Sequence, residues 1–159
     1  MDFYYPNLQN DMWRIMGMIF YSDKEYFLTS DKKNFDERHI KIFCTEKGIA
    51  ISDAASAIIR LNNNASDKYL EIVQPINLDF ILTQLPNCRA IVTTGQKATD
   101  TLLNILMIEE PKIGSFTGFS FLDKELRLYR MPSSSRAYPK SLAYKTGIYK
   151  TMFDELGII

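Results

Sequence analysis

The chain has 159 residues, of which 46% are hydrophobic and 24% are charged, and its formal net charge is zero. A chain of this length can bury one sizeable core and is too short for two ordinary domains, so we expect a single domain over residues 1–159. Zero net charge argues against a protein that coats nucleic acid non-specifically, although it leaves room for a local basic face.

Cysteine usage and hydropathy exclude further classes. Cys44 and Cys88 are far apart and have no other thiol near them, so neither a disulfide framework nor a zinc or iron–sulfur ligand set can be built from them. No apolar stretch is long enough to cross a bilayer, and the first residues lack the pattern of a secretory signal. We therefore expect a reduced, cytoplasmic protein without a metal and without a membrane partner.

Capping residues and apolar spacing predict the first elements. Apolar residues recur at helical intervals over 12–20, behind the pair Asn10-Asp11, which is suited to cap a helix. A second helix is expected over 36–47, because Gly48 is a typical stop. The apolar segment 49–51 then predicts a short strand.

Turn residues divide the middle of the chain. The polar segment 62–67 predicts a loop, and a helix is expected over 78–85, capped by Asn77. Residues 90–92 predict a buried strand, which Gly95 turns into another helix.

The last third predicts a hairpin, a loop and a closing helix. The hairpin is expected over 119–129 with its turn at 123–124, and the loop over 131–136 is expected to be exposed. The closing helix is expected over 139–156. Its apolar side should carry Tyr144, Ile148, Met152 and Phe153.

Alternating strands and helices of these lengths indicate an α/β domain layered around a mainly parallel sheet. Ligand sites of such sheets lie at the carboxyl ends of the strands. The loops of interest are therefore those that follow Ile51, Thr94 and Met131.

Seven basic residues and a single acid lie between positions 124 and 150. The run favours an edge that faces phosphates, and a solvated face with scattered bases explains it equally well. The basic residues are Lys124, Arg127, Arg130, Arg136, Lys140, Lys145 and Lys150.

Two segments carry a resemblance to a known family. Residues 4–16 align without a gap with an aromatic, His-Pro-x-Asn-x-Phe-Trp-Arg segment, and residues 131–136 match a Met-Pro-Ser-Ser-Ser loop. Weaker echoes at 48–53, 65–67 and 94–98 lie between them in consistent order. In these motifs the chain resembles the uracil-DNA glycosylase superfamily, in the branch of mismatch-specific thymine/uracil and hypoxanthine glycosylases.

The resemblance implies a uracil-DNA glycosylase-like, three-layer α/β sandwich with a mainly parallel central sheet. It also implies base-excision repair: hydrolysis of the bond between deoxyribose and uracil, hypoxanthine or mismatched thymine, flipped out of duplex DNA. Neither a metal nor an organic cofactor is implied, and the partner is duplex DNA that contains the damaged or mismatched base.

Tyr5 and Asn10 are the candidates for base binding and catalysis. By resemblance, the ring of Tyr5 stacks on the flipped base, and the amide of Asn10 positions the attacking water. A core tyrosine and an ordinary helix N-cap account for the same two residue types.

Ser133, Ser134, Ser135 and Arg136 are the candidates for DNA binding. The hydroxyls can donate to phosphate oxygens, and the arginine can fill the gap that the flipped base leaves. Thymine glycosylases with the triple serine carry their intercalating arginine one position later, where this chain has Ala137.

The resemblance has one gap at the start. Relatives begin with a central strand and a Gly-x-x-Pro loop that lines the base pocket, whereas this sequence opens directly within the first aromatic motif. We expect the coding sequence upstream of Met1 to encode that strand and loop. Two alternatives are an inactive, truncated relative that acts as a DNA-binding domain and a small-molecule-binding α/β protein.

Overall fold

The computed structural model describes residues 3–60 and 70–159, so the expected loop at 62–67 and the echo at 65–67 lie outside the described residues. The elements in chain order are α1 (Met12–Tyr21), α2 (Glu37–Lys47), β1 (Ala55–Arg60), β2 (Leu70–Pro75), α3 (Leu78–Gln84), β3 (Ala90–Thr94), α4 (Gln96–Leu106), β4 (Phe116–Phe121), β5 (Lys124–Met131) and α5 (Leu142–Glu155). None of the described helices is long and apolar enough to span a membrane.

The contacts divide the chain into two compact units. We call residues 1–52 and 132–159 the helical unit, because they contain α1, α2 and α5. Residues 53–131 form the sheet unit, which contains all five named strands together with α3 and α4.

The sheet unit is mixed α/β. β1 pairs with β2 in antiparallel fashion, and a second sheet has the order β3-β5-β4. β3 runs parallel to β5, whereas the β4–β5 hairpin makes its pair antiparallel. The expectation of a mainly parallel sheet is therefore not met, because two of the three described strand pairs are antiparallel.

The core of the sheet unit is apolar. α3 and α4 contribute leucines that pack with inward residues of β4 and β5, and all of these side chains are almost inaccessible. Both helices begin as predicted: the side chain of Asn77 accepts a hydrogen bond from the Phe80 amide, and Gly95, with φ of 87°, precedes α4. The buried cluster is Leu78, Leu82, Leu102, Phe119, Leu126 and Leu128.

Two details of this unit differ from the predictions. β3 is not buried throughout: Ile91 packs against the leucine cluster, whereas Val92 points to the opposite face and is 39% exposed. The hairpin turns one residue earlier than expected, with Leu122 and Asp123 both at positive φ, as a tight two-residue hairpin turn requires.

The helical unit packs aromatic rings between its helices. Trp13 of α1 and Phe43 of α2 each contact Phe27 edge to face, and all three rings are almost fully buried. α2 confirms its predicted limits, because Asp36 accepts a hydrogen bond from the His39 amide and Gly48 adopts the left-handed conformation that ends the helix.

The strand expected at 49–51 is wrong. The amide of Ile49 donates to the carbonyl of Cys44 at 2.8 Å, so the chain here completes the end of α2 instead of joining a sheet. The next strand begins only at Ala55.

The closing helix differs from the prediction in its start and in its buried face. α5 begins at Leu142, where Ser141 accepts a hydrogen bond from the Tyr144 amide. Tyr144 itself is 40% exposed, and the buried side chains are Lys145, Tyr149, Met152 and Phe153. The predicted apolar side is confirmed for Met152 and Phe153 and wrong for Tyr144, because lysines are usually exposed and Lys145 was placed on the solvent side.

Candidate nucleic-acid interface

The serine loop, residues 132–136, follows β5 in the chain and is hydrogen-bonded to α5. The hydroxyl of Tyr149 donates to the carbonyl oxygen of Pro132 at 2.6 Å. Within the loop, the hydroxyl oxygen of Ser133 accepts from the Ser135 amide, and that of Ser135 accepts from the Ala137 amide, both at 3.2 Å. The loop is therefore ordered by local turns as well as by the helix beneath it.

The exposure of the serine loop differs from residue to residue. Ser133 and Ser135 are half-buried and Arg136 is 47% exposed on its side chain, whereas Ser134 is buried with only 2% exposure. The expectation of a uniformly exposed loop is wrong for Ser134. Ser134 is held inward because its carbonyl accepts a hydrogen bond from the Asp11 amide at the start of α1.

The two segments that resemble family motifs lie against each other. The Asp11 amide donates to the Ser134 carbonyl at 2.8 Å, and the Arg136 amide donates to the Gln9 carbonyl at 3.0 Å. Between these two bonds, Asn10 and Ser135 form an antiparallel bridge. The candidate catalytic residue and the candidate DNA-binding residues thus share one small surface of the helical unit.

Asn10 ends the turn before α1. Its side-chain oxygen Oδ1 accepts a hydrogen bond from the Met12 amide at 2.9 Å, so the residue supports the start of the helix as the sequence suggested. Its Nδ2 has no hydrogen-bond partner within the described part of the chain. An amide nitrogen in this state can donate two hydrogen bonds, to a water or to a base.

Tyr5 precedes the same turn in the chain and contacts α1. Its ring meets the buried Trp13 ring edge to face, with centroids 6.4 Å apart, and the residue is half-buried. Its φ of 56° is in the left-handed region, which is uncommon for an aromatic residue. The indole of Trp13 donates to the Tyr4 carbonyl at 3.1 Å and so ties this strained segment to α1.

Asp11 is the centre of a buried charge cluster. Its side chain is 9% exposed and contacts three cations: Arg136 Nε at 3.1 Å, Arg14 Nη1 at 3.3 Å and Lys145 Nζ at 3.7 Å. Lys145 is fully buried, and its Nζ also donates to the Ser135 carbonyl at 2.9 Å. The cluster therefore links α1, the serine loop and α5 through one carboxylate.

The arginines of this cluster are held differently. Arg14 Nη1 donates to the Leu8 carbonyl at 2.8 Å, and burial, with the nearby charge of Arg136 adding to it, lowers the pKa of Arg14 below its ordinary value. Arg136 instead keeps much of its guanidinium in solvent. Arg14 is thus a structural cation, and Arg136 is the one open to a ligand.

The seven basic residues do not all face solvent. Lys145 is wrong as a phosphate-facing residue, because the helix buries it completely. In the sheet unit, Lys124 donates to the Pro86 carbonyl and Arg130 pairs with Glu110. In the helical unit, Arg136, Lys140 and Lys150 are the exposed members of the run.

Sequence reasoning placed Asp11 at the start of α1, where it is the N-cap, but missed its ion pairs and the role of Lys145. The helical spacing held a signal for the lysine, because Lys145 lies four residues before Tyr149 and seven before Met152, on the face that packs inward. Nothing in the sequence marks Asp11 as its counter-ion, since the two lie in separate elements.

Metal-binding side chains do not gather in the described ranges: no group of three or more His, Cys, Asp or Glu residues has a suitable arrangement there. A depression of about 280 Å³ lies instead along α2, lined by Lys41, Ile42, Thr45 and Glu46, away from the residues discussed above. No family model, curated protein or solved structure matches the chain.

Proposed function

We propose that this chain is a DNA base-excision glycosylase with a uracil-DNA glycosylase-like three-layer fold, which hydrolyses the N-glycosidic bond of a deaminated base flipped out of duplex DNA. The observation that carries the proposal is the pairing of the two motif segments through Asp11 with Ser134 and through Gln9 with Arg136. A glycosylase must hold the DNA backbone and act on the flipped nucleotide within one small area.

Each residue of the area has a task in this reaction. The free Nδ2 of Asn10 holds the attacking water or the edge of the base, and the half-buried ring of Tyr5 stacks on the base. Ser133 and Arg136 contact the phosphates on either side of the flipped nucleotide. Because a neutral amide is a poor base, the rate must come chiefly from placement and from stabilisation of the departing base.

One observation favours a second candidate, a DNA-binding domain without catalysis. Asn10 Oδ1 already accepts a hydrogen bond from the Met12 amide at the start of α1, which is sufficient reason for an asparagine at this position. In that case the serine loop and Arg136 would still contact phosphates, and no base would be released.

A base-release assay separates the two. Purified protein is incubated with end-labelled duplexes that carry uracil, hypoxanthine or mismatched thymine, and alkali then cleaves any abasic site. Strand cleavage at the damaged position supports the enzyme. Salt-dependent binding without cleavage supports the inert domain, and neither binding nor cleavage overturns both.

Asn10→Ala is the decisive variant, and α3 offers its control. Asn77 caps α3 through a bond to the Phe80 amide, and Asn10 accepts a comparable bond from the Met12 amide, the first of α1, so each alanine variant should lose about 1 kcal/mol of stability. Only Asn10→Ala should lower single-turnover excision, by about 100-fold or more, with little change in affinity. Equal excision by both variants would leave Asn10 with a structural role only.

A further inference from the structure

The side chain of Arg136 is held at one end and open at the other. Its Nε contacts Asp11 Oδ1 at 3.1 Å, yet 47% of the side chain is exposed. The two terminal nitrogens, Nη1 and Nη2, have no hydrogen-bond partner within the described residues. A guanidinium anchored in this way presents a pair of parallel N–H groups, which matches the oxygens of a phosphate.

The carboxylate that holds Arg136 is itself held in place. Asp11 lies between Arg14 and the fully buried Lys145, and Lys145 also binds the carbonyl of Ser135, the residue next to Arg136. The main chain of Arg136 is fixed too, because its amide donates to the Gln9 carbonyl. Both the main chain and the guanidinium of Arg136 are therefore held, the first by Gln9 and the second by Asp11.

An intercalating wedge needs a side chain that extends freely from the protein surface. Here the bond from Nε to Asp11, the residue before α1, restrains the guanidinium, and the two terminal nitrogens are left for a ligand. This geometry suits a contact at the DNA backbone and not insertion between bases.

Resting on the function proposed above, we propose that Asp11 and Lys145 are positioning residues that hold Arg136 as a bidentate contact to a DNA backbone phosphate. By resemblance, Arg136 was a candidate to fill the gap left by the flipped base, although the family's intercalating arginine aligns with Ala137. In the role proposed here Arg136 contacts a phosphate, and Asp11, although acidic, is part of the DNA-binding surface.

The sign of one charge change tests this inference. If Asp11 acted only through its charge, neutralising it would make the protein more positive and tighten DNA binding. If Asp11 positions Arg136, neutralising it should weaken binding, because the arginine loses its orientation.

Asp154→Asn is the matched control for Asp11→Asn. Asp154 pairs with Lys150 on the exposed side of α5, so this variant makes the same charge change on the same unit away from Arg136. A second variant, Arg136→Lys, keeps the positive charge at this exposed position but removes the paired N–H groups of the guanidinium. It tests the inference even if Asp11→Asn does not fold.

Affinity is measured by fluorescence anisotropy over a salt series, with a duplex that carries one uracil opposite guanine and with its undamaged counterpart. Asp154→Asn should bind as tightly as the parent chain or slightly more tightly. Asp11→Asn and Arg136→Lys should each bind both duplexes about ten-fold more weakly. The salt slope of Asp11→Asn should fall by about one.

Tighter binding by Asp11→Asn, or parental affinity of Arg136→Lys, would overturn the inference and leave the proposed function intact. A loss confined to the uracil duplex, with reduced fluorescence of 2-aminopurine beside the uracil, would restore the wedge and also overturn it. Absence of DNA binding by the parent chain would instead overturn the proposed function, and this inference with it.

Discussion

At the centre of the sheet unit, the buried side chains of β5 include Leu126 and Leu128, whereas in the helical unit, where the two motif segments meet, the buried side chains include the ammonium of Lys145 and the carboxylate of Asp11. Apolar side chains stabilise a core in almost any arrangement that fills the space. A buried carboxylate and its cations are stable only when their geometry is satisfied. We infer that the first interior supplies stability, and that the second fixes one arrangement of two loops.

The largest effect is expected from the apolar interior. Leu128→Ala removes a fully buried side chain from the leucine cluster and should lower the free energy of unfolding by about 4 kcal/mol in a urea titration. Ile113→Ala, in the same unit but at a side chain with 42% exposure, should cost less than about 1 kcal/mol. Similar costs for the two would show that the leucine cluster is not the stabilising core.

A smaller and partly reversible effect is expected from the charged interior. Lys145→Met should cost about 2 to 3 kcal/mol, because Asp11 loses one counter-ion and the Ser135 carbonyl loses its donor, while Arg14 and Arg136 remain. Adding Asp11→Asn should cost less than the two single changes summed, with a coupling of about 1 kcal/mol. Strict additivity in this double-mutant cycle would mean that the lysine and the aspartate do not interact.

The prediction for Cys44 concerns the reactivity of its thiol and has the smallest expected effect on stability. Burial raises the pKa of the Cys44 thiol from 9.0 to about 11, so at pH 8 the folded protein should hold about 100-fold less of its thiolate than the unfolded chain does. In a Cys88→Ala background, alkylation by iodoacetamide should be slow in buffer and fast in urea. The native rate should rise about ten-fold per pH unit up to pH 11, and a plateau near pH 9 would contradict the raised pKa.

Local signals predicted the helices well. α2 ends at Gly48 and α3 begins after Asn77, as those two residues indicated, because caps and stops act within a few residues of the chain. The strand prediction for 49–51 was wrong because it considered only the apolar residues. The Ile49 amide is hydrogen-bonded to the last turn of α2 and is not available to a sheet.

The sequence predicted some residues of the candidate site but not the contacts between them. The motifs identified Asn10 and the serine loop, and the structure brings them together. Local patterns predict neither the burial of Ser134 nor the ion pair of Arg136 with Asp11. Both depend on a contact between residues more than a hundred positions apart. Lys145 was misplaced because charge was taken as a sign of exposure, and the compensating carboxylate is visible only in three dimensions.

The bond from Lys145 to the Ser135 carbonyl also gives a criterion for recognising this surface in other sequences. A triple serine by itself is common. The pattern here has two further parts: a helical lysine ten positions after the last serine, and an Asn-Asp pair ahead of an earlier helix. The three parts together are much rarer. Chains that keep the serines and lose either charged residue would have to close the loop by another bond. The three-part pattern therefore separates relatives that share this architecture from those that share only a loop.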